Sequence, residues 1–403
     1  MFGKGPLSIM TSPTLPNIPK EVQDRILTII DQLVNELRTN STEHQTSEKD
    51  LLESDLGISS LERVELLMRI EKAFNVDFDD NAMTEANTPQ DLAAMVVSAG
   101  QTSVKPKIQI QETKVKTTTS PVSAITLIDA LKLHADHTPD RVHIQLREDN
   151  GKKSLITYGA LWNESMDIAA GLKKKGLITG ETVAIMLRTD RAFFSSFFGT
   201  LLAGGVPVPM YPPVRADRIE EHAQRQIGIL QNSQARVMIT FTEIKRLTEL
   251  LVSQVPSLLG VVTPAQLAQG NHNFSKNNLS NNSDGGTPAL IQYTSGSTGN
   301  PKGVLLTNQN LLANIRALQQ GLNIQSDDIA VSWLPLYHDM GLIGAWLGTL
   351  YLGTPLILMS PLAFLAKPVR WLNALHENRA TISAAPNFAY NLCTQRISDD
   401  DLT

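Results

Sequence analysis

Residues 293–304 read YTSGSTGNPKGV: three glycines, two serines, two threonines, a proline and a lysine within twelve positions, directly after the apolar run ALIQ at 289–292. A glycine- and hydroxyl-rich turn leaving a strand directs several backbone N–H groups and Ser/Thr hydroxyls into one concavity, which suits the oxygens of a polyphosphate. Lys302 supplies the countercharge. The GxxxxGK[ST] loop of P-loop nucleotidases is absent, because Lys302 is followed by GVLLT instead of a hydroxyl that opens a helix. The candidate phosphate-binding residues are therefore Thr294, Ser295, Gly296, Ser297, Thr298, Gly299 and Lys302.

The surroundings of this loop give the fold class. From residue 124 onward, strand-like runs (ETVAIML, VPVPM, RVMIT, LLGVV, ALIQY, DIAVSWL, PLILM, ATISAA) alternate with helical segments such as DRIEEHAQRQIGILQNS and NQNLLANIRALQQGL. This order predicts an α/β domain with one large, mainly parallel sheet covered by helices. An Asn-rich segment, GNHNFSKNNLSNNSDGG at 270–286, reads as a surface loop. Two apolar runs, FFSSFFGTLLAGGVPVPMY at 193–211 and the charge-free stretch Met340–Ala366, have the roughly 20-residue length of a membrane span. Gly and Pro punctuate both where a buried helix hands over to a buried strand, so they are assigned to the core and no membrane span is expected.

About thirty residues beyond the loop comes SWLPLYHDMGLIG, Ser332 to Gly344. Here a resemblance becomes specific. YTSGSTGNPKGV resembles the phosphate-binding signature of the adenylate-forming superfamily, which comprises acyl-CoA synthetases, peptide-synthetase adenylation domains and fatty acyl-AMP ligases. The resemblance implies ATP with Mg2+, the loop holding the β and γ phosphates. It also implies a reaction that joins a carboxylate to the α-phosphate, releases pyrophosphate and passes the acyl group to a thiol. SWLPLYHDMGLIG resembles the next core motif, which places Tyr337 and His338 on the acyl side of the adenylate. Asp339 either touches ligand or caps the helix beginning at Met340. Three stretches, VPVPMYPPVRADRIEEHAQRQIGIL at 206–230, WLPLYHDMGLIG and APNFAYNLC at 385–393, look like fatty acyl-AMP ligases, with a resemblance running over 125–403. That family uses a fatty acid and, as acceptor, the phosphopantetheine thiol of a carrier protein. By the same resemblance Gly341, Leu342, Asn387 and Phe388 lie near the acyl pocket, with a pure packing role as the other reading of each. No residue is assigned to a metal.

The N-terminal segment has a different character. KEVQDRILTIIDQLVNELR at 20–38 places Val22, Ile26, Ile29, Leu33 and Leu37 on one helical stripe, and Leu61, Val64, Leu67, Ile70 and Phe74 repeat the pattern. TPQDLAAMVVSA from Thr88 has a threonine cap, proline at the first helical position and Asp91 in the first turn. The sum is a bundle of three or four helices. DLGISSLERVELLMRIEKAF, Asp55 to Phe74, is similar to the acyl carrier protein pattern, which implies a four-helix bundle with 4'-phosphopantetheine on Ser60, attached by a phosphopantetheinyl transferase. Glu62, Glu65 and Glu71 then form an acidic docking face. Ser59 to Glu62 is equally a capping box. The carrier pattern usually has Asp before the modified serine, and Ser59 stands there, which puts recognition by the transferase in question.

The domains are therefore read as an acyl carrier domain at 18–98, a polar Lys/Thr-rich flexible linker at 99–123 and an AMP-binding adenylation domain at 124–403. Residues 20–100 carry 17 acidic and 7 basic side chains, a net of -10 within a chain of net -5, so nucleic acid is excluded as a partner of the first domain. A single cysteine, Cys393, rules out an internal disulfide and fits a reducing, cytoplasmic setting, and MFGKGPLSIMTSPTLPN lacks the apolar stretch of a secretory signal. The superfamily's adenine motif, ribose-binding Asp, hinge and C-terminal catalytic Lys have no match before the chain stops at RISDDDLT. A second polypeptide carrying the missing C-terminal part, or downstream synthase modules, is the further partner this leaves open. Three function classes follow: a fatty-acid-activating ligase half with its own carrier; an acyl-CoA synthetase or amino-acid adenylation enzyme; and a non-catalytic carrier module with a degenerate ligase fragment.

Overall fold

The computed structural model describes residues 18–37, 46–52, 55–58, parts of 63–76, 86–98, 123–148, 152–212, 219–249, 254–269, 284–294, 302–398 and 401. Ser60, Ser295, Gly296, Ser297, Thr298, Gly299, the 99–122 stretch and most of the Asn-rich loop lie outside them. The chain divides into two compact units, Met1–Lys105 and Pro106–Thr403.

In the first unit, helix α1 (Lys20–Leu37) buries the stripe Ile26, Ile29, Ile30, Leu33 and Val34. Helix α2 (Pro89–Ser98) meets it with Leu92, Ala93 and Val96. The N-terminus of α2 is closed reciprocally, as its sequence foretells. Asp91 N donates to Thr88 Oγ1 at 3.2 Å, while the Asp91 carboxylate accepts from the Thr88 and Asn87 amides at 2.9 and 3.0 Å. The described residues between Arg63 and Phe74 include further helical positions, of which Leu66, Leu67 and Ile70 enter the same core. Leu61, Val64 and the fourth helix of the carrier reading lie outside the described residues.

The second unit departs from the single large sheet expected above. Among the described residues it holds two four-stranded sheets and a separate hairpin. In the first sheet the order is β2 (Lys153–Thr157), β1 (Val142–Arg147), β10 (Leu356–Met359), β9 (Ala330–Ser332), parallel except for the β1–β2 pair. In the second, β4 (Val206–Pro209), β3 (Thr182–Met186), β5 (Val237–Thr240) and β6 (Gly260–Val262) are all parallel. The hairpin pairs β7 (Pro288–Thr294) with β8 (Lys302–Thr307). Alternation of strand and helix identifies βαβ units, but nothing in it says which strands share hydrogen bonds. β1, β2 and β8 were not foreseen, and ATISAA contributes only a bridge between Ala330 and Ile382. β2 and β8 are largely exposed, β8 even at Val304 and Leu305 of its apolar run Val304–Leu306.

The run at 193–211 resolves into helix and strand. Asp190 accepts from the Phe193 amide at 3.1 Å and starts a helix over Arg191–Leu202, and β4 follows. Phe193, Phe194, Phe197 and Phe198 of that helix surround Trp346 edge-on, with ring centroids 4.9 to 5.9 Å from it. Each such fully buried aromatic contributes roughly 2–3 kcal/mol relative to exposure. Among the described residues no helix is long and apolar enough to cross a membrane.

Beside this core lies a buried polar stack. Tyr158 is sandwiched between His134 and His143, with centroids 4.6 and 4.9 Å away. All three are buried. Burial pushes the His143 imidazole down to about 3, and His134 and Arg141 nearby push the same way. Arg141 is held in place by donating to the Gly353 carbonyl at 2.6 Å.

Candidate functional site

The strand before the loop is fixed on both faces. Leu290 is buried, and Ile291 and Tyr293 pack against the core of the β4–β3–β5–β6 sheet. The Tyr293 ring crosses β8 at Gly303, where a Cβ would stand 2.9 Å from Tyr293 Cζ, so only glycine lets the ring lie there. The Tyr293 hydroxyl then donates to Asn232 Oδ1 at 2.5 Å, and burial raises its pKa. At the far end, Asn308 closes the hairpin by donating from its backbone N–H and its Nδ2 to the Thr287 carbonyl at 3.1 and 3.2 Å.

This anchoring sets Thr294 opposite Lys302 in antiparallel register. The seven residues 295–301 connect the two strands, and Lys302 is exposed at the mouth of that connection. A hairpin mouth with a lysine at its rim is a different device from a strand-to-helix phosphate loop, as the residue after Lys302 already indicated.

The second motif forms a turn after β9. His338 N donates to the Pro335 carbonyl at 3.2 Å, Leu342 N donates to the His338 carbonyl at 2.8 Å, and a π-helical segment runs from Met340 to Leu347. π turns recur at functional sites. Asp339 does cap it: its carboxylate accepts from the Met340 amide at 2.7 Å. Asp339 Oδ1 also lies 2.6 Å from His338 Nδ1, and this neighbour holds the carboxyl below its ordinary range despite partial burial. Both side chains are partly open, at 40% and 62% exposure. Gly341 admits no side chain, since a Cβ there would stand 2.2 Å from the Pro335 carbonyl oxygen.

Two side chains not singled out in the sequence join these pieces. Gln292, 7% exposed on β7, donates from Nε2 to the Tyr337 carbonyl at 2.8 Å and so ties the hairpin to the Tyr337–His338 turn. Tyr211, just past β4, meets the Tyr337 ring edge-on at 4.8 Å. The signal for Gln292 was present, as a lone amide in an otherwise apolar strand.

Asn387 and Phe388 divide. Phe388 is buried edge-on against Trp333, which stacks on Phe364 at 4.0 Å, so its place is in an aromatic packing cluster. Asn387 is exposed at the first position of the helix Asn387–Arg396. Among the described residues no group of three or more His, Cys, Asp or Glu could hold a metal ion. A cavity of about 560 Å³ bordered by Glu181, Thr182, Ser233 and Arg236 lies at the N-terminal ends of β3 and β5, at the other edge of the sheet from Tyr211. Thr182 Oγ1 donates to the Ser233 carbonyl there at 2.7 Å, and Arg236 faces Glu181 at 3.2 Å.

A family model described as AMP-binding enzyme matches residues 131–402, and one described as phosphopantetheine attachment site matches 32–96. The chain is 34% identical to the medium-chain-fatty-acid–acyl-carrier-protein ligase JamA of Moorena producens (strain JHB), over 67% of this chain and 46% of that protein. It is 30% identical to the long-chain-fatty-acid–AMP ligase FadD26 of Mycobacterium marinum (strain ATCC BAA-535 / M), over 70% and 49%. Among solved structures it resembles a fatty acyl-adenylate ligase from a study of the E. coli and L. pneumophila enzymes, with a TM-score of 0.63 and 30% identity over 69% of this chain and 49% of that one. The chain spans about half the length of the curated relatives it matches. With a Ser/Thr/Gly-rich hairpin tied to a Tyr-His turn, and a family match running through both, the chain belongs to the AMP-binding enzyme family.

Proposed function

We propose that this chain carries the phosphate-gripping part of an ATP-dependent fatty acyl-AMP ligase together with the carrier that accepts the product. The observation that carries the reading is the β7–β8 hairpin, which sets Thr294 and Lys302 face to face across the loop and is tied through Gln292 to Tyr337 and His338. In this reading Thr294, Ser295, Gly296, Ser297, Thr298, Gly299 and Lys302 hold the β and γ phosphates. A fatty acid carboxylate attacks the α-phosphate, pyrophosphate leaves, and the acyl group passes from AMP to a thiol. The naming of several relatives as fatty-acid ligases supports the acyl substrate. Tyr337, His338, Asp339 and Gly341 border the acyl side. Mg2+ would arrive with the nucleotide, bound to its phosphate oxygens.

The domain reading of carrier 18–98, linker 99–123 and adenylation domain 124–403 is supported by the division of the chain near residue 105. Ser60 is the proposed attachment point for phosphopantetheine, which supplies a thiol on a long arm. Leu56 and Ile58 before it, and Leu66 and Leu67 after it, are buried in the core of the first unit. A pantetheinyl transferase is the implied partner, a polypeptide supplying further ligase elements is another, and a cytoplasmic setting suits the single cysteine.

The test is intact mass. Treated with a pantetheinyl transferase and coenzyme A, the full chain is expected to gain one phosphopantetheinyl group, and then an acyl group when fatty acid and ATP are added. Ser60→Ala is expected to gain neither while keeping its helical content. An adduct retained in Ser60→Ala would remove Ser60 from its role. A pantetheinyl gain with no ATP-dependent acyl gain would leave the carrier reading standing and show that acyl transfer needs the further ligase elements.

A further inference from the structure

Gln292 occupies an unusual position for an amide. It lies on β7 two residues before Thr294, is 93% buried, and its adjacent neighbours Ile291 and Tyr293 pack into the opposite core. Its Nε2 faces two carbonyl oxygens, Tyr337 at 2.8 Å and Tyr293 at 3.5 Å. Carbonyls only accept, so the amide cannot be turned round, and its Oε1 is left buried without a hydrogen-bond partner. An unsatisfied buried acceptor is costly, and a methionine of the same length would fill the space without it. The amide's distinctive product is one strong bond between the strand that leads into the phosphate loop and the turn that carries His338.

We propose that Gln292 is a positioning residue that couples the phosphate loop to the acyl-side turn, so that a ligand at one raises affinity at the other. This rests on the functional reading above. The linkage is local and physical: a shift of β7 along its axis carries the Tyr337 carbonyl with it, and the Tyr337 ring is in turn braced by Tyr211.

The test uses the full chain and two probes, pyrophosphate for the loop and a non-hydrolysable acyl-adenylate mimic for the turn. Titration of each alone and in the presence of the other gives the coupling factor, which must be the same in both directions. The wild type is expected to show coupling of about fivefold or more. Gln292→Met is expected to bring the factor to within about twofold of unity, with each single affinity changed less than about twofold. Gln292→Glu adds a pH readout: its ionised carboxylate cannot donate to the Tyr337 carbonyl, its protonated form can, so coupling is expected to return as pH falls. Undiminished coupling in Gln292→Met overturns the assignment, as does a parallel loss of both single affinities together with thermal stability, which would mark a merely structural bond. A wild type that binds neither probe overturns the functional reading itself, and that failure appears before any variant is made.

Discussion

Replacing Gly341 with alanine is expected to destabilise the second unit by about 3 kcal/mol and to lower its thermal midpoint by roughly 5–10 °C. The added methyl would stand 2.2 Å from the Pro335 carbonyl oxygen and 2.8 Å from that of Leu334. Both obstacles are backbone, so no side chain can rotate away, and the strand-to-turn segment must move bodily. That movement would displace Tyr337 and His338, so binding of an acyl-adenylate mimic is expected to fall with stability. Gly344, three residues on and exposed, has nothing within 4 Å of the same position. Gly344→Ala is therefore the control and should be neutral. Equal midpoints for the two variants, followed by circular dichroism or scanning calorimetry, would show that the turn is not as tightly packed as described.

Acid should unfold this protein through His143. Its imidazole is fully buried against Tyr158, with His134 and Arg141 as its charged or titratable neighbours, and its pKa is about 3 when folded against 6.5 for the free side chain. The unfolded chain therefore binds a proton in a pH range where the folded chain refuses it. The sign follows from linkage: the stability that a neutral His143 allows is complete above pH 6.5 and is lost progressively as pH falls from 6.5 toward 3. The gap corresponds to on the order of 5 kcal/mol. His134, lowered by burial, adds in the same direction. Carboxylates such as Glu377, lowered by Arg147 and Lys153 against burial, act mainly below the ordinary carboxylate range. His143→Phe keeps an aromatic face toward Tyr158 and removes the titration. Urea unfolding at a series of pH values is expected to give a wild-type curve that drops between pH 6.5 and 4, with a flatter curve for the variant. Parallel curves would contradict the assignment.

Much of this molecule can be read from its residues. The capping pattern at Thr88, the helix NQNLLANIRALQQGL and the division of the apolar run at 193–211 all follow from local rules: side-chain acceptors at helix starts, apolar spacing, and glycine where one element gives way to another. The two sheets were hidden because the pairing of β1 with β10 joins segments more than 200 residues apart, and nothing local records it.

The candidate site shows the same divide. Lys302, Tyr337 and His338 stand in motifs and were visible. Gln292 acts on a carbonyl 45 residues away, and Phe388 packs against a tryptophan 55 residues earlier, so their roles appear only when the chain is folded. Asp339 was evenly poised between ligand and cap, and in the structure it accepts from the Met340 amide while its side chain stays 62% exposed.

The most direct test of the central reading is calorimetric titration of the full chain with ATP in the presence of Mg2+, beside the variant Lys302→Ala. Lys302 faces Thr294 across the loop mouth, and the loss of a charge-assisted contact to phosphate predicts saturable binding by the wild type and about 10- to 100-fold weaker binding by the variant. Equal ATP affinity in the two proteins, or no binding by the wild type, would contradict it.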